Sequence, residues 1–409
     1  MNIKQDLTHL LVALFMVLVN ISMYCQNLDD SPFLNIKSFG AKGDGKTDDT
    51  PALLKAMEAA TQSDGTVYFP HGNYLIHPIK VPSHITLLGY SAWGYENKDK
   101  ADKDYIGKTI LTAQSGDARA LLNLDNNRGI RIIGLTLDGK KLGKRMHGVY
   151  ARHSGSEQHN IIEDCRIQRF SGSGIRLERS WVFGVRRCLL MFNQEHGVDI
   201  TGGYDGWMID NQFTANNGYG LFARGEPHPD KTKEEIKDLK FFGGASVMVT
   251  ANRIEWNKKG GIFLNKSNSM QITGCAIDHN FGPGIKITNG TAHTISGNLL
   301  RSNGVDAKDD ACSQIWLENV NGVSVTGNTI WGWYNRKEYK FEFPYPFYGI
   351  IAKNLQGSVI SQNAMYQSSS KEGISDRGGN GTSIIKDNAY VKPKIEKIDG
   401  GGFRILENK

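Results

Sequence analysis

The chain has 409 residues, 39% of them apolar and 22% charged, with a formal net charge of +6. That apolar share is too high for disorder, and no apolar run long enough to span a bilayer occurs beyond the N-terminus, which excludes a multi-span membrane protein. The 47 Gly, against 11 Pro and 5 Cys, follow no collagen period and are spread evenly, so a recurring turn is expected.

Residues 1–25 read as a signal peptide of bacterial type. Lys4 precedes an apolar stretch from Leu10 to Val19, which is short for a spanning helix and suits a secretory signal. Cys25 is a candidate lipid-attachment site, although Tyr24 in front of it is large for lipoprotein processing. Secreted or periplasmic protein and cell-surface lipoprotein both stay open. Lys4 and Asp6 cancel, so removing the segment leaves the charge unchanged. Mild basicity fits an anionic substrate and equally a generic soluble surface.

Residues 26–80 read as an N-terminal cap. Asp48, Asp49 and Thr50 are placed to cap a helix with Pro51 in its first turn, and Leu53, Leu54, Met57 and Ala60 recur on one side. Such an amphipathic helix suits plugging the open end of a sheet stack. The run IKSFGAKGDGKTDDT from Ile36 to Thr50, followed by GTVYFP from Gly65 and Gly72-Asn73-Tyr74, resembles the opening of the pectate-lyase-like β-helix superfamily. That group holds polygalacturonase-like and rhamnogalacturonase-like hydrolases, lyases and epimerases. The resemblance implies the fold and a carbohydrate substrate, and says little about the reaction, since one scaffold hosts many chemistries.

Residues 81–391 are a repeat. Aligned short strings place Cys165, Cys188, Asn211, Asn252, Cys275, Asn298, Asn328, Asn363 and Asn388 at spacings of 23, 23, 41, 23, 23, 30, 35 and 25. A second series, Asn193, Asn216, Asn257, Asn280 and Asn303, lies five residues further on. A third begins strands of the form Gly-apolar-x-apolar at Gly148, Gly174, Gly197, Gly220, Gly261, Gly284 and Gly349, with Gln314 in the same place without its Gly. Units of this size are too short for a helix each and cannot close a core alone, so they stack. Asn at a fixed turn tolerates left-handed backbone, and its amide bonds up and down the stack. The expected fold is all-β: a right-handed single-stranded parallel β-helix of about ten coils behind a short N-terminal α-helix, with residues 392–409 as a tail. Cys165, Cys188 and Cys275 occupy the Asn position and are expected as small core residues rather than disulfide partners or metal ligands.

In the third series the apolar pair faces inward, so alternate residues face out. One outward column reads Tyr150, Arg176, Asp199, Phe222, Phe263, Lys286, Trp316, Ile351; the other reads Arg152, Glu178, Thr201, Arg224, Asn265, Thr288, Glu318, Lys353. Aromatics mixed with both charge signs suit sugar recognition, because rings stack on pyranose faces and charges fix hydroxyls or carboxylates. Glu178 and Asp199 are the best carboxylate pair, with Cβ atoms roughly 8 Å apart from rung and residue spacings. That is near the ~6.5–9.5 Å carboxyl spacing of inverting glycosidases. The competing reading is a cross-strand ion network in which Asp199 lies beside Arg176 and Glu178 beside Arg152. Glu195 and His196 precede the Asp199 strand, and His147 and His153 flank the first full coil, as further proton-transfer candidates. Tyr150, Arg152, Arg176, Phe222, Arg224, Phe263, Lys286, Trp316, Glu318, Trp331 and Trp333 are the expected substrate contacts.

The Asn-x-Asp, Asp-Asp, Gly-His-Gly and Arg-x-Lys motifs of polygalacturonase-like hydrolases find only a faint echo at Asn193-Gln194-Glu195-His196-Gly197. Those family residues therefore do not carry over. A lyase would use an Arg or Lys beside a neutralised uronate, and Ca²⁺ on Glu178, Glu195 and Asp199 is possible in that case. Otherwise no cofactor is expected. Insertions at 226–242 and 331–348, the second with nine aromatics in eighteen residues, are candidate cleft walls. Hydrolysis of a glycosidic bond by the carboxylate pair is the first functional expectation. Elimination or C5-epimerisation of a uronic-acid polymer is the second, and a non-catalytic glycan-binding protein the third. Nucleic-acid binding is not expected, because the positives are interleaved with acids.

Overall fold

A computed structural model describes residues 33–63, 65–90, 94, 107–152, 157–225, 244–304, 307–332, 346–391 and 403–405. The expected signal segment, His153, Trp333 and most of the two insertions lie outside the described residues.

Short strands follow one another in three parallel sheets of fourteen, thirteen and eleven strands, here sheets A, B and C. Successive coils visit A, then B, then C, and every strand inside a sheet pairs with its counterparts one coil earlier and one coil later; Ile161–Ile162 on sheet A, for instance, lies between Arg131–Ile132 and Gly184–Val185. The chain is a right-handed parallel β-helix with one short α-helix near its front. Inside it, Ile162, Val185 and Met208 of sheet A, Ile167, Leu190 and Phe213 of sheet B, and Leu177, Ile200 and Ala223 of sheet C are all buried, coil upon coil. Among the described residues no helix is long and apolar enough to cross a membrane.

The stack is longer than the repeat suggested at both ends. Phe33–Asn35 already pairs with Thr66–Tyr68, so the cap shares the sheets of the body. Phe403–Ile405, in the expected tail, pairs with Ser383–Ile385. The helix, Thr50–Thr61, buries Ala52, Leu53, Ala56, Met57 and Ala60, but Leu54 is 48% exposed and does not belong to the packed side. Asp49 holds the N-cap position without capping the helix: its carboxylate instead accepts the Lys42 and Gly43 amides at 2.6 and 3.1 Å. Asp48 takes the Thr50 amide and hydroxyl.

Both Asn series form buried ladders. Each side-chain oxygen accepts the backbone and amide N–H of the preceding coil's Asn, as Asn252 does from Asn211 at 2.9 and 3.0 Å, while Asn211 Nδ2 also reaches the Val185 carbonyl at 2.8 Å. The left-handed backbone belongs to the residue before the ladder, Asp164, Arg187, Asp210 or Ala251, and not to the ladder Asn itself. Asn is there for its amide. Cys165, Cys188 and Cys275 fill ladder positions as free, buried thiols, and burial pushes the Cys188 and Cys275 thiols up in pKa.

Candidate active site on sheet C

Sheet C presents the two expected columns. Its strands β1 (His147–Arg152), β2 (Ile175–Glu178), β3 (Val198–Thr201), β4 (Tyr219–Arg224), β5 (Gly260–Asn265), β6 (Ile285–Thr291), β7 (Ser313–Asn321) and β8 (Tyr348–Gln356) lie in register. Tyr150 pairs with Arg176, Arg176 with Asp199, Asp199 with Phe222, Phe222 with Phe263, Phe263 with Lys286, Lys286 with Trp316 and Trp316 with Ile351. Phasing follows from the Gly at the start of all these strands but β7, where Gln314 takes its place. A Cβ on Gly261 would sit 2.4 Å from the Gly284 carbonyl, so only glycine lets the coils close at that corner.

At the β1–β3 end the side chains form a closed ion network. Arg176, 8% exposed, donates from Nε to Glu178 Oε1 at 2.8 Å and from Nη1 to Asp199 Oδ2. Tyr150 Oη donates to Glu178 Oε2 at 2.9 Å and accepts from Arg119 Nη1 at 2.6 Å. One guanidinium thus bridges both expected catalytic carboxylates. Burial raises the Asp199 carboxyl against the pull of Arg176 and Arg224. Burial also pushes Glu178 up, but hydrogen bonds from Arg176 and Tyr150 outweigh it and leave the carboxyl below its ordinary value. Asp199 is 1% exposed, and its Oδ1 is buried without a hydrogen-bond partner.

This geometry corrects two expected substrate contacts. Tyr150 is fully buried, with its phenol pushed to about 12 chiefly by burial, and Arg176 is spent on the carboxylates; outward direction alone did not make either accessible. Arg152 is exposed at the edge, in register with Glu178, and no ion pair joins the two.

The accessible part lies one coil on. His196 stacks against Phe222 at 4.8 Å and Tyr219 at 5.8 Å; Tyr219 and Phe222 each meet Phe263 at 5.3 Å. Tyr219 was not expected from the sequence; its only signal was an aromatic immediately before the repeat Gly. The His196 Nδ1 accepts the Tyr219 amide at 2.9 Å, so the neutral ring carries its proton on Nε2. Burial lowers this imidazole to about 4, which keeps it neutral at physiological pH. Glu195 is paired with Arg145 at 2.6 Å, another partner the sequence did not signal. Arg224 lies 5.2 Å from the Phe222 ring and donates to the Thr201 hydroxyl at 2.9 Å. Lys286 lies 3.6 Å from the Trp316 ring and 5.3 Å from the Phe263 ring, and burial lowers its pKa. Glu318 is paired with Lys353 at 2.7 Å.

Other expected site residues fall elsewhere. Trp331 is on sheet B, in register with Arg301 and Tyr366, because its outward alternation belongs to that strand. His147 is buried, accepts the Ser173 amide on Nδ1, and is lowered to about 4 by burial. Among the described residues no three His, Cys, Asp or Glu side chains converge on a point where a metal ion could sit. Glu178, Glu195 and Asp199, the expected calcium ligands, are each tied to an arginine.

The family description "Rhamnogalacturonase A/epimerase, pectate lyase-like" matches residues 33–226. Residues 33–226 are thus similar to the pectate-lyase-like family, and the whole stack has the right-handed parallel β-helix fold. A second description, "Periplasmic copper-binding protein (NosD)", matches residues 241–330 of the same stack. A probable glucan endo-1,3-beta-glucosidase of Arthroderma benhamiae is 52% identical over 65 residues, 16% of this chain and 7% of that protein. Mannuronan C5-epimerase AlgE1 of Azotobacter vinelandii is 25% identical over 198 residues, 45% of this chain and 13% of the relative. The A-module of mannuronan C-5 epimerase AlgE4 from the same organism superposes with a TM-score of 0.60 at 18% identity, over 92% of this chain and 98% of the module, and shares the fold. The chain spans a small part of the length of both curated relatives.

Proposed function

We propose that this pectate-lyase-like protein is a carbohydrate-active enzyme that binds a uronate-bearing glycan along sheet C and acts at the uronate C5, by elimination or epimerisation. The observation that carries this reading is the charge accounting of the accessible face. Glu195 and Glu318 are each paired with a cation, and Glu178 shares Arg176 with the buried Asp199, whereas Arg224 and Lys286 lie against aromatic rings and take part in no ion pair among the described residues. A surface that is net positive between aromatic platforms suits an acidic sugar better than a neutral one. Removing the proton next to a carboxylate requires that carboxylate to be neutralised, a role for Arg224. His196, neutral with its proton on Nε2, and the Tyr219 hydroxyl lie beside Phe222 and are the proton-donor candidates, while Lys286, whose pKa burial lowers, is the candidate base in its free-amine form. In elimination the C5 proton passes to the Lys286 amine, its electron pair forms the C4–C5 double bond as the glycosidic C4–O bond breaks, and the departing oxygen takes a proton from His196 or Tyr219. In epimerisation a proton returns to the opposite face. The mannuronan epimerase relative supports the same substrate class.

Hydrolysis by Glu178 and Asp199 is the second reading. It is favoured by the opposite displacement of the two carboxyls, the pattern of an acid and base pair, and opposed by the burial of Asp199. Product analysis on a panel of uronate and neutral glycans separates the readings. Elimination gives an ultraviolet-absorbing unsaturated uronate, epimerisation incorporates solvent deuterium at C5, and hydrolysis gives saturated new reducing ends. Arg224→Gln is expected to raise KM for a uronate substrate about ten-fold, a loss of one charge-assisted contact. Saturated ends from a neutral glycan, with KM unmoved in Arg224→Gln, would overturn the proposal.

A further inference from the structure

The turn that follows β2 carries an aromatic residue with no part in the network or the His196 cluster. Trp181 is 38% exposed, one of few large apolar side chains on the surface of the described residues. It lies three residues past Glu178, beyond the left-handed Arg179 at the corner between sheets C and A, in a row of isolated bridges that runs Trp181, Tyr204, Ala245, Asn268 and Thr291 along the stack. Its indole is held by two contacts. Nε1 donates to Asp205 Oδ2 at 2.7 Å, and Tyr204 of the next coil packs against it at 5.9 Å. The backbone is clamped reciprocally, with the Trp181 amide donating to Gln158 Oε1 at 2.7 Å and the Gln158 amide to the Trp181 carbonyl at 3.0 Å.

The same turn holds backbone strain. Val182 has φ of 52°, and the corresponding residues of the following coils, Asp205, Ser246, Ser269 and Ala292, share the left-handed backbone. Val182 is the β-branched one among them. A valine there costs on the order of 1–3 kcal/mol, and such strain persists where surrounding structure over-determines it. The result is a partly exposed indole, held in one place, at the corner that follows the Glu178 strand of the proposed glycan face.

We propose that Trp181 is a sugar-stacking subsite: it takes the face of a hexopyranose ring of the same glycan, beyond the unit bound over Arg224 and Phe222. This rests on the reading of sheet C as the glycan face. Trp181 has the attributes such a subsite needs, since a flat ring with few rotamers loses little entropy on stacking and its polar edge is already satisfied by Asp205.

The test is calorimetric binding of a ladder of oligomannuronates and oligogalacturonates, with neutral cello-oligosaccharides alongside. Trp181→Ala is expected to weaken the longer oligosaccharides ~3–10-fold, the strength of one aromatic stacking contact, and to leave disaccharide binding as it was. Trp181→Phe restores part of the affinity, and Asp205→Ala, which frees the indole, lowers it. Quenching of tryptophan fluorescence by long oligosaccharides in the wild type, reduced in Trp181→Phe, reports contact without turnover. Equal affinity of Trp181→Ala and wild type for every length overturns the subsite, as does a change confined to self-association in sedimentation. If neutral oligosaccharides alone bind and still lose affinity in Trp181→Ala, the subsite stands while the uronate reading falls. If uronate products form and Trp181→Ala is unaffected, the subsite falls alone.

Discussion

Arg176 is the residue on which the ion network turns. It faces outward on its strand yet is buried, and both its carboxylate partners are buried or half-buried with it. Breaking a buried charge pair from one side strands the other charge, so Arg176→Met is expected to cost about 3–5 kcal/mol in urea unfolding. Adding Asp199→Asn to that variant recovers part of the loss, because the stranded charge is then gone. An unchanged midpoint in Arg176→Met would show that the network contributes nothing to the fold. Histidines give a second residue-scale prediction. Burial lowers His293 to about 4 from its ordinary 6.5. Between those values the unfolded chain binds a proton that the native chain refuses, so the contribution is complete above 6.5 and is lost as pH falls towards 4. The full span is worth about 3 kcal/mol. Unfolding curves at neutral and mildly acidic pH are expected to diverge less in His293→Gln than in the wild type.

At the scale of the element, the turns and strand starts set coil geometry, and their glycines serve two different needs. Gly261 has ordinary backbone but a Cβ there would collide with the Gly284 carbonyl, so Gly261→Ala forces neighbouring coils apart and is expected to destabilise by about 1–3 kcal/mol. Gly297 has open space around its missing Cβ but a φ of 63°, so Gly297→Ala is expected to cost only about 1 kcal/mol. Denaturation midpoints of the two variants check the order. The ladders work differently again. Asn257 bonds the Asn280 and Asn216 side chains and the Phe213 and Glu255 carbonyls, so its loss leaves several buried groups unpaired at once.

For the whole molecule, each coil's strands pair only with those of its neighbours, and stability accumulates along the stack. Hydrogen exchange is therefore expected to be slowest in the coils around β2 to β6 and faster in the strands at either end, such as Phe403–Ile405; uniform protection throughout would contradict this. The phase of sheet C was legible in the sequence because Gly-apolar-x-apolar recurs in step with two Asn series, and three registers that agree leave one way to stack. Buried thiols at the Asn position followed from the same alignment. What the periodicity could not carry was depth. Tyr150, Arg176 and Asp199 occupy outward positions just as Phe222 and Lys286 do, and only the packed side chains decide that the first three are sealed while the last two face the groove. Nor could it give partners supplied from outside the repeat: Arg119 and Arg145 come from irregular segments, and Trp331 alternates outward on a different sheet. Sequence by itself determined the coil, its direction and its columns, because those depend on a local pattern repeated many times. Tertiary structure decided which charges are already satisfied and which remain for a ligand, because that depends on contacts between segments that share no pattern.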